Sequence, residues 1–143
     1  MSQLEQLAKQ MLETGGPEVE QALHEALRRV SEPAELRRFA ESFYADPEVS
    51  VPAFERLLEL TPEDLVVRVA LGFVYFLMGE DGEANRQLEK ARALDSEHVQ
   101  VLTLEAALAR DPAEKIRLYH RILQKDPQNE VARGKLQELG AWK

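Results

Sequence analysis

Apolar residues recur at three- and four-residue steps along most of this chain, a spacing that predicts helices. Leu4, Leu7, Ala8, Met11 and Leu12 form one stripe over Ser2 to Glu13. Gly15-Gly16-Pro17 stops that helix and sets Pro17 to open the next, which reaches about Val30 with Val19, Ala22, Leu23, Ala26 and Leu27 on one face. Pro33 starts a third helix whose buried side is expected to hold Leu36, Phe39, Ala40 and Phe43. Asp46-Pro47 reads as a turn, and Pro52 as the start of a shorter helix ending at Leu60. No window alternates β-branched and polar residues, so the chain is expected to be all-α, with about nine helices.

Helix punctuation continues in the second half. Thr61-Pro62-x-Asp64 combines an N-cap candidate, a proline at the first helical position and an acidic residue behind it; Asp111-Pro112-x-Glu114 repeats the device. Between Leu65 and Met78 runs a helix that is apolar on more than one side. Gly79, Asp81 and Gly82 then interrupt the pattern where a tight turn is expected. Gly72 and Ala84 are small enough to let two antiparallel helices approach, with Leu71, Tyr75, Leu88 and Ala91 filling the seam. A last helix, about Asn129 to Leu139, carries Val131, Ala132, Leu136 and Leu139 against a polar side and ends at Gly140.

The stretch Arg68-x2-Leu71-Gly72-x2-Tyr75, then Ala84-x3-Leu88, then Ala91 and Ser96, has the spacing of a known signature. It resembles a tetratricopeptide repeat, W-x2-L-G-x2-Y then A-x3-F then Pro, which spans about 34 residues. Pro62 and Ser96 stand that far apart, while Arg68 and Ser96 replace the usual Trp and Pro. The resemblance covers roughly residues 50 to 139. It implies antiparallel helix pairs stacked as a short right-handed solenoid, with a degenerate repeat at 31–64, the best repeat at 65–98, a shortened one at 99–129 and a capping helix at 130–143; the N-terminal hairpin at 1–30 is helical on its own spacing. On length the whole is expected to be a single domain.

Composition narrows the functions. The 143 residues carry a formal net charge of −8, which repels phosphate backbones and disfavours nucleic acid. Arg28 and Arg29 are expected to complement a helix C-terminus, and Arg37 and Arg38 to be solvated. Absence of cysteine excludes disulfides, thiol catalysis and Cys-ligated zinc. The N-terminal residues have no signal-peptide pattern, and the longest apolar stretch falls short of a membrane span, so a cytoplasmic protein without a membrane partner is expected. His24, His98 and His120 are scattered, with no metal-binding or nucleophile–base spacing and no phosphate loop nearby. The expectation is a protein that is not an enzyme and needs no cofactor.

One surface remains to be explained. Val66, Val69, Phe73 and Phe76 stack on a second stripe of the Leu65–Met78 helix, apart from the pairing face. In the resembled family these positions line the concave groove that holds a peptide. The equivalents in the following unit are Gln100, Thr103, Ala107 and Arg110. Some family members clamp a terminal carboxylate with Lys and Asn, but Val69 and Phe73 stand at the matching positions here. The resemblance therefore implies a non-catalytic adaptor or scaffold whose partner is another protein, bound through an amphipathic or hydrophobic peptide or helix. The rival expectation is a homodimer or larger assembly built on the same stripe.

Overall fold

The computed structural model describes residues 2–142, and these contain nine α-helices and no strand. The chain forms two compact units, residues 1–67 and 68–143. The helices are α1 (Gln3–Glu13), α2 (Pro17–Arg29), α3 (Pro33–Ser42), α4 (Pro47–Leu60), α5 (Leu65–Leu77), α6 (Asp81–Asp95), α7 (Val99–Leu108), α8 (Pro112–Lys125) and α9 (Glu130–Glu138). Helix α5 begins in the first unit and lies mostly in the second.

In the first unit, α4 is the helix on which the others pack: α1, α2 and α3 all lie against it. It buries Val49, Ser50, Ala53, Phe54, Leu57 and Leu58. That demand explains why the helix starts at Pro47, five residues before the Pro52 start expected from sequence. Pro52 sits inside the helix and forfeits one backbone hydrogen bond. Packing of Val49 and Ser50, whose amides both donate to the Asp46 carbonyl, keeps the preceding turn helical. Gly15 and Gly16 take positive φ between α1 and α2, and Pro17 opens α2 as its spacing implied. Arg28 and Arg29 lie in the last turn of α2, where cations suit the dipole. Arg37 is not simply solvated: it forms an ion pair with Asp64.

The start of α5 also differs from expectation. Asp64, not Thr61, provides the cap of α5, its Oδ1 accepting from the Val67 amide at 3.1 Å. Thr61 is tied backwards instead, its hydroxyl donating to the Leu57 carbonyl at 2.9 Å, and Pro62 stays outside the helix. His98 precedes α7 and caps it, Nδ1 accepting from the Gln100 amide at 3.0 Å. Asp111 and Asn129 cap α8 and α9 through their side chains.

In the second unit, α7, α8 and α9 share a core of Leu102, Ala106, Leu118, Tyr119, Ile122, Ala132 and Leu136. The turn after α5 is narrower than expected: Gly79 takes φ +78°, while Asp81 and Gly82 already belong to α6. Gly72 is where α5, α6 and α7 come together. An added Cβ there would lie 2.6 Å from Leu104 Cδ2 and 3.5 Å from Gln87 Cβ. Its smallness thus serves the approach of α7 even more than that of its hairpin partner α6.

Candidate protein-binding surface

Helix α5 buries more of its circumference than a single packing face requires. Val67, Val69, Leu71 and Val74 are all at most 2% exposed. Val69 is therefore part of the packed interior rather than of the accessible stripe on which the sequence placed it. Val66, in the first turn, is 50% exposed. Phe73 and Phe76 are half-buried, their rings 6.5 Å apart in an edge-to-face arrangement. That geometry fixes two aromatic side chains one turn apart while leaving part of each open to solvent.

Arg68 stands where the repeat signature has Trp. Its Nη1 donates to Gln87 Oε1 at 3.2 Å, and Gln87 is buried. Burial lowers the Arg68 guanidinium below its ordinary pKa, although it remains a cation at neutral pH. The polar pair thus sits at the α5–α6 seam in the place of an indole.

Helix α7 turns Val101, Leu102, Leu104 and Ala106 inward. Gln100 is exposed, and Thr103 and Ala107 are half-buried. The Thr103 hydroxyl donates to the Val99 carbonyl at 2.8 Å, so its proton is used within the helix and only its acceptor capacity faces outward. Arg110 follows the helix and is exposed, with no ion pair among the described residues. Arg86, Arg92, Arg117, Arg121 and Arg133 of the same unit each meet a glutamate. Arg110 is therefore an uncommitted guanidinium at the end of the face that carries Gln100, Thr103 and Ala107.

Nothing in the second unit assembles a reaction centre from the histidines. His98 spends Nδ1 on its cap, and His120 is exposed on α8. Among the described residues no group of three His, Asp or Glu side chains is arranged to hold a metal ion. No described helix is long and apolar enough to cross a membrane. Several exposed apolar side chains were not singled out by their sequence spacing: Leu77 at 72%, and Met78, Leu94 and Trp142 at lower exposure. Val131, read as part of the apolar side of the last helix, is 58% exposed. Periodicity marks an apolar stripe but cannot say which of its members a neighbouring helix covers.

No family model matches the sequence, and no curated protein matches it. The similarity to known proteins lies in the structure. The chain superposes on the first tetratricopeptide domain of Spaghetti (RPAP3), solved with the HSP90 peptide SRMEEVD, with a TM-score of 0.65 and 16% identity over 76% of this chain and 90% of that one. It superposes similarly on the first such domain of human RPAP3, with a TM-score of 0.66 and 16% identity over 76% of this chain and 89% of that one.

Proposed function

We propose that this chain, an all-α protein of the tetratricopeptide-repeat fold, is a non-catalytic protein-interaction adaptor that holds an apolar or amphipathic peptide segment against α5 and α7 of its second unit. The observation that carries the reading is the Phe73–Phe76 pair: two partly open aromatic rings, held edge to face, on a helix that buries Val67, Val69, Leu71 and Val74. Rigid aromatic area of this kind dominates binding energy at protein interfaces because it is desolvated at little entropic cost. The repeat assignment, with 65–98 as the complete unit and 99–129 as the shortened one, belongs to the same reading.

In this account Phe73 and Phe76 supply the anchor, and Ala107 leaves room beside α7. Gln100 and Arg110 donate hydrogen bonds that orient the bound segment, and Val69 supports the wall from within. Gly72 supports the pairing of these faces, since Leu104 of α7 sits against it. The HSP90 peptide held by the Spaghetti domain lends support to a peptide as the ligand class. The chemistry differs in that Val69 and Phe73 stand at the clamp positions, which favours an apolar anchor over an acidic tail.

The test is panning of a displayed random-peptide library against the intact chain and against Phe73→Ala/Phe76→Ala. Enrichment of peptides with an apolar anchor by the intact chain alone supports the reading. Enrichment of the same peptides by both removes it. Light-scattering mass over a concentration series decides the rival: self-association of the intact chain, abolished in a folded variant, assigns the rings to a homodimer interface.

A further inference from the structure

The acidic excess of the chain resides entirely in its first unit. Residues 1–67 carry fourteen Asp and Glu against six Lys and Arg, whereas residues 68–143 carry twelve of each. A cleft of about 430 Å³ lies between α1 and α3 of this acidic unit. Its floor is apolar: Leu4 and Phe39 are buried, and the half-buried Phe43 ring lies 5.1 Å from that of Phe39. Glu5 and Glu35 stand exposed on the rim, and Arg38 is the one cation of the lining.

We infer that this cleft docks a basic amphipathic segment of a partner protein, an apolar side chain entering over Leu4, Phe39 and Phe43 while flanking Lys or Arg side chains meet Glu5 and Glu35. Two observations select this occupant. The apolar floor gives an aliphatic or aromatic anchor a place to leave water. The concentrated negative charge accelerates the approach of a cation and repels acidic peptides, nucleic acids and anionic lipid surfaces alike. Arg38 remains a donor for a carbonyl oxygen of the docked backbone. The inference does not rest on the peptide surface of α5 and α7, since the cleft belongs wholly to residues 1–67.

The test is fluorescence anisotropy of two labelled helical probes, one of Leu and Lys and one of Leu and Glu, titrated with the intact chain. The Leu/Lys probe binds and the Leu/Glu probe does not. Glu5→Gln/Glu35→Gln removes both rim charges yet keeps the Ser2 cap, whose hydroxyl accepts from the residue-5 amide, and leaves a side-chain oxygen at residue 5 to accept from that hydroxyl. It weakens binding about 5-fold, as expected for two partly solvated ion pairs. Glu18→Gln/Glu20→Gln removes the same charge from exposed positions of α2 outside the cleft and changes the affinity less than about 2-fold. Phe43→Ala weakens the Leu/Lys probe further. Equal losses from the two charge pairs, equal affinity for the two probes, or no binding of the Leu/Lys probe overturns the proposal. If Phe43→Ala unfolds the chain, the comparison of the two charge pairs still decides.

Discussion

Leu104 of α7 fills the space that a side chain on Gly72 of α5 would need: an ideal Cβ at residue 72 would lie 2.6 Å from Leu104 Cδ2. Leu104 is fully buried, so its methyl has nowhere to retreat. Gly72→Ala is therefore expected to destabilise the fold by about 1–3 kcal/mol, the ordinary range for overpacking, although alanine has the better helix propensity. Gly134 in α9 is the opposite case, with open space around an added Cβ and ordinary backbone angles. Gly134→Ala is expected to stabilise by about 0.5–1 kcal/mol. Urea melts of the two variants give opposite shifts in midpoint.

Arg56 of α4 closes the open end of α2. Its Nε donates to the Leu27 carbonyl at 3.1 Å, and its Nη2 donates to those of Arg28 and Val30, both at 3.0 Å. A helix end leaves its last carbonyls without i+4 amide partners, and Leu27's also accepts from the Val30 amide at 3.2 Å. Arg56→Ala is expected to cost about 1–3 kcal/mol, and Arg56→Lys to recover only part of it because one ammonium cannot reproduce the planar fork. Thermal melts of the three chains test this, and equal melting points for wild type and Arg56→Ala would sink the assignment.

Lys115 of α8 does the same for α7, its Nζ donating to the carbonyls of Ala106 at 2.8 Å and Ala107 at 3.1 Å. Desolvation, with a smaller contribution from nearby Lys135, lowers its pKa. Lys115→Met retains the aliphatic stem but loses both bonds, and is expected to cost about 1–2 kcal/mol. Amide exchange should quicken at Ala109 and Leu108 in the last turn of α7 before the rest of the unit responds; uniform acceleration would speak against a local cap.

Glu114 in the first turn of α8 accepts two hydrogen bonds from Arg117, at 3.1 and 2.6 Å. The hydrogen bond to Arg117 holds its carboxyl below the ordinary glutamate range. A lowered folded-state pKa contributes stability that is fully present above the unfolded pKa and is lost as pH falls through the folded one. The stability gap between wild type and Glu114→Gln is thus expected to be small, constant near neutrality and absent in strong acid. A carboxyl NMR titration of Glu114 that finds an ordinary midpoint would contradict this.

The sequence carried the helices further than their edges. Leu4, Leu23, Leu36, Leu71 and Leu136 were legible as core because each recurs at helical spacing. The Pro52 start failed because a proline, at a local cost of about 3 kcal/mol, need not end a helix whose preceding turn buries Val49 and Ser50. Thr61 and Asp64 could not be separated as caps, since both are good N-cap residues and only the tie from Thr61 to Leu57 decides. The stripe Val66, Val69, Phe73, Phe76 was legible as apolar, but burial of Val69 and partial exposure of Phe73 and Phe76 depend on packing that no spacing rule encodes. Arg110 was placed on the candidate face by its position alone; that it has no ion pair among the described residues, unlike Arg86, Arg92, Arg117, Arg121 and Arg133, is set by side-chain placement that spacing does not encode.

The most direct measurement of the central claim is the dissociation constant of one library-selected peptide for the intact chain and for Phe73→Ala, each confirmed folded by circular dichroism. The account predicts a loss of roughly 30-fold or more, the equivalent of about 2 kcal/mol for an aromatic anchor removed from an interface. An unchanged dissociation constant in a folded Phe73→Ala chain would place the peptide elsewhere and remove α5 from the binding surface.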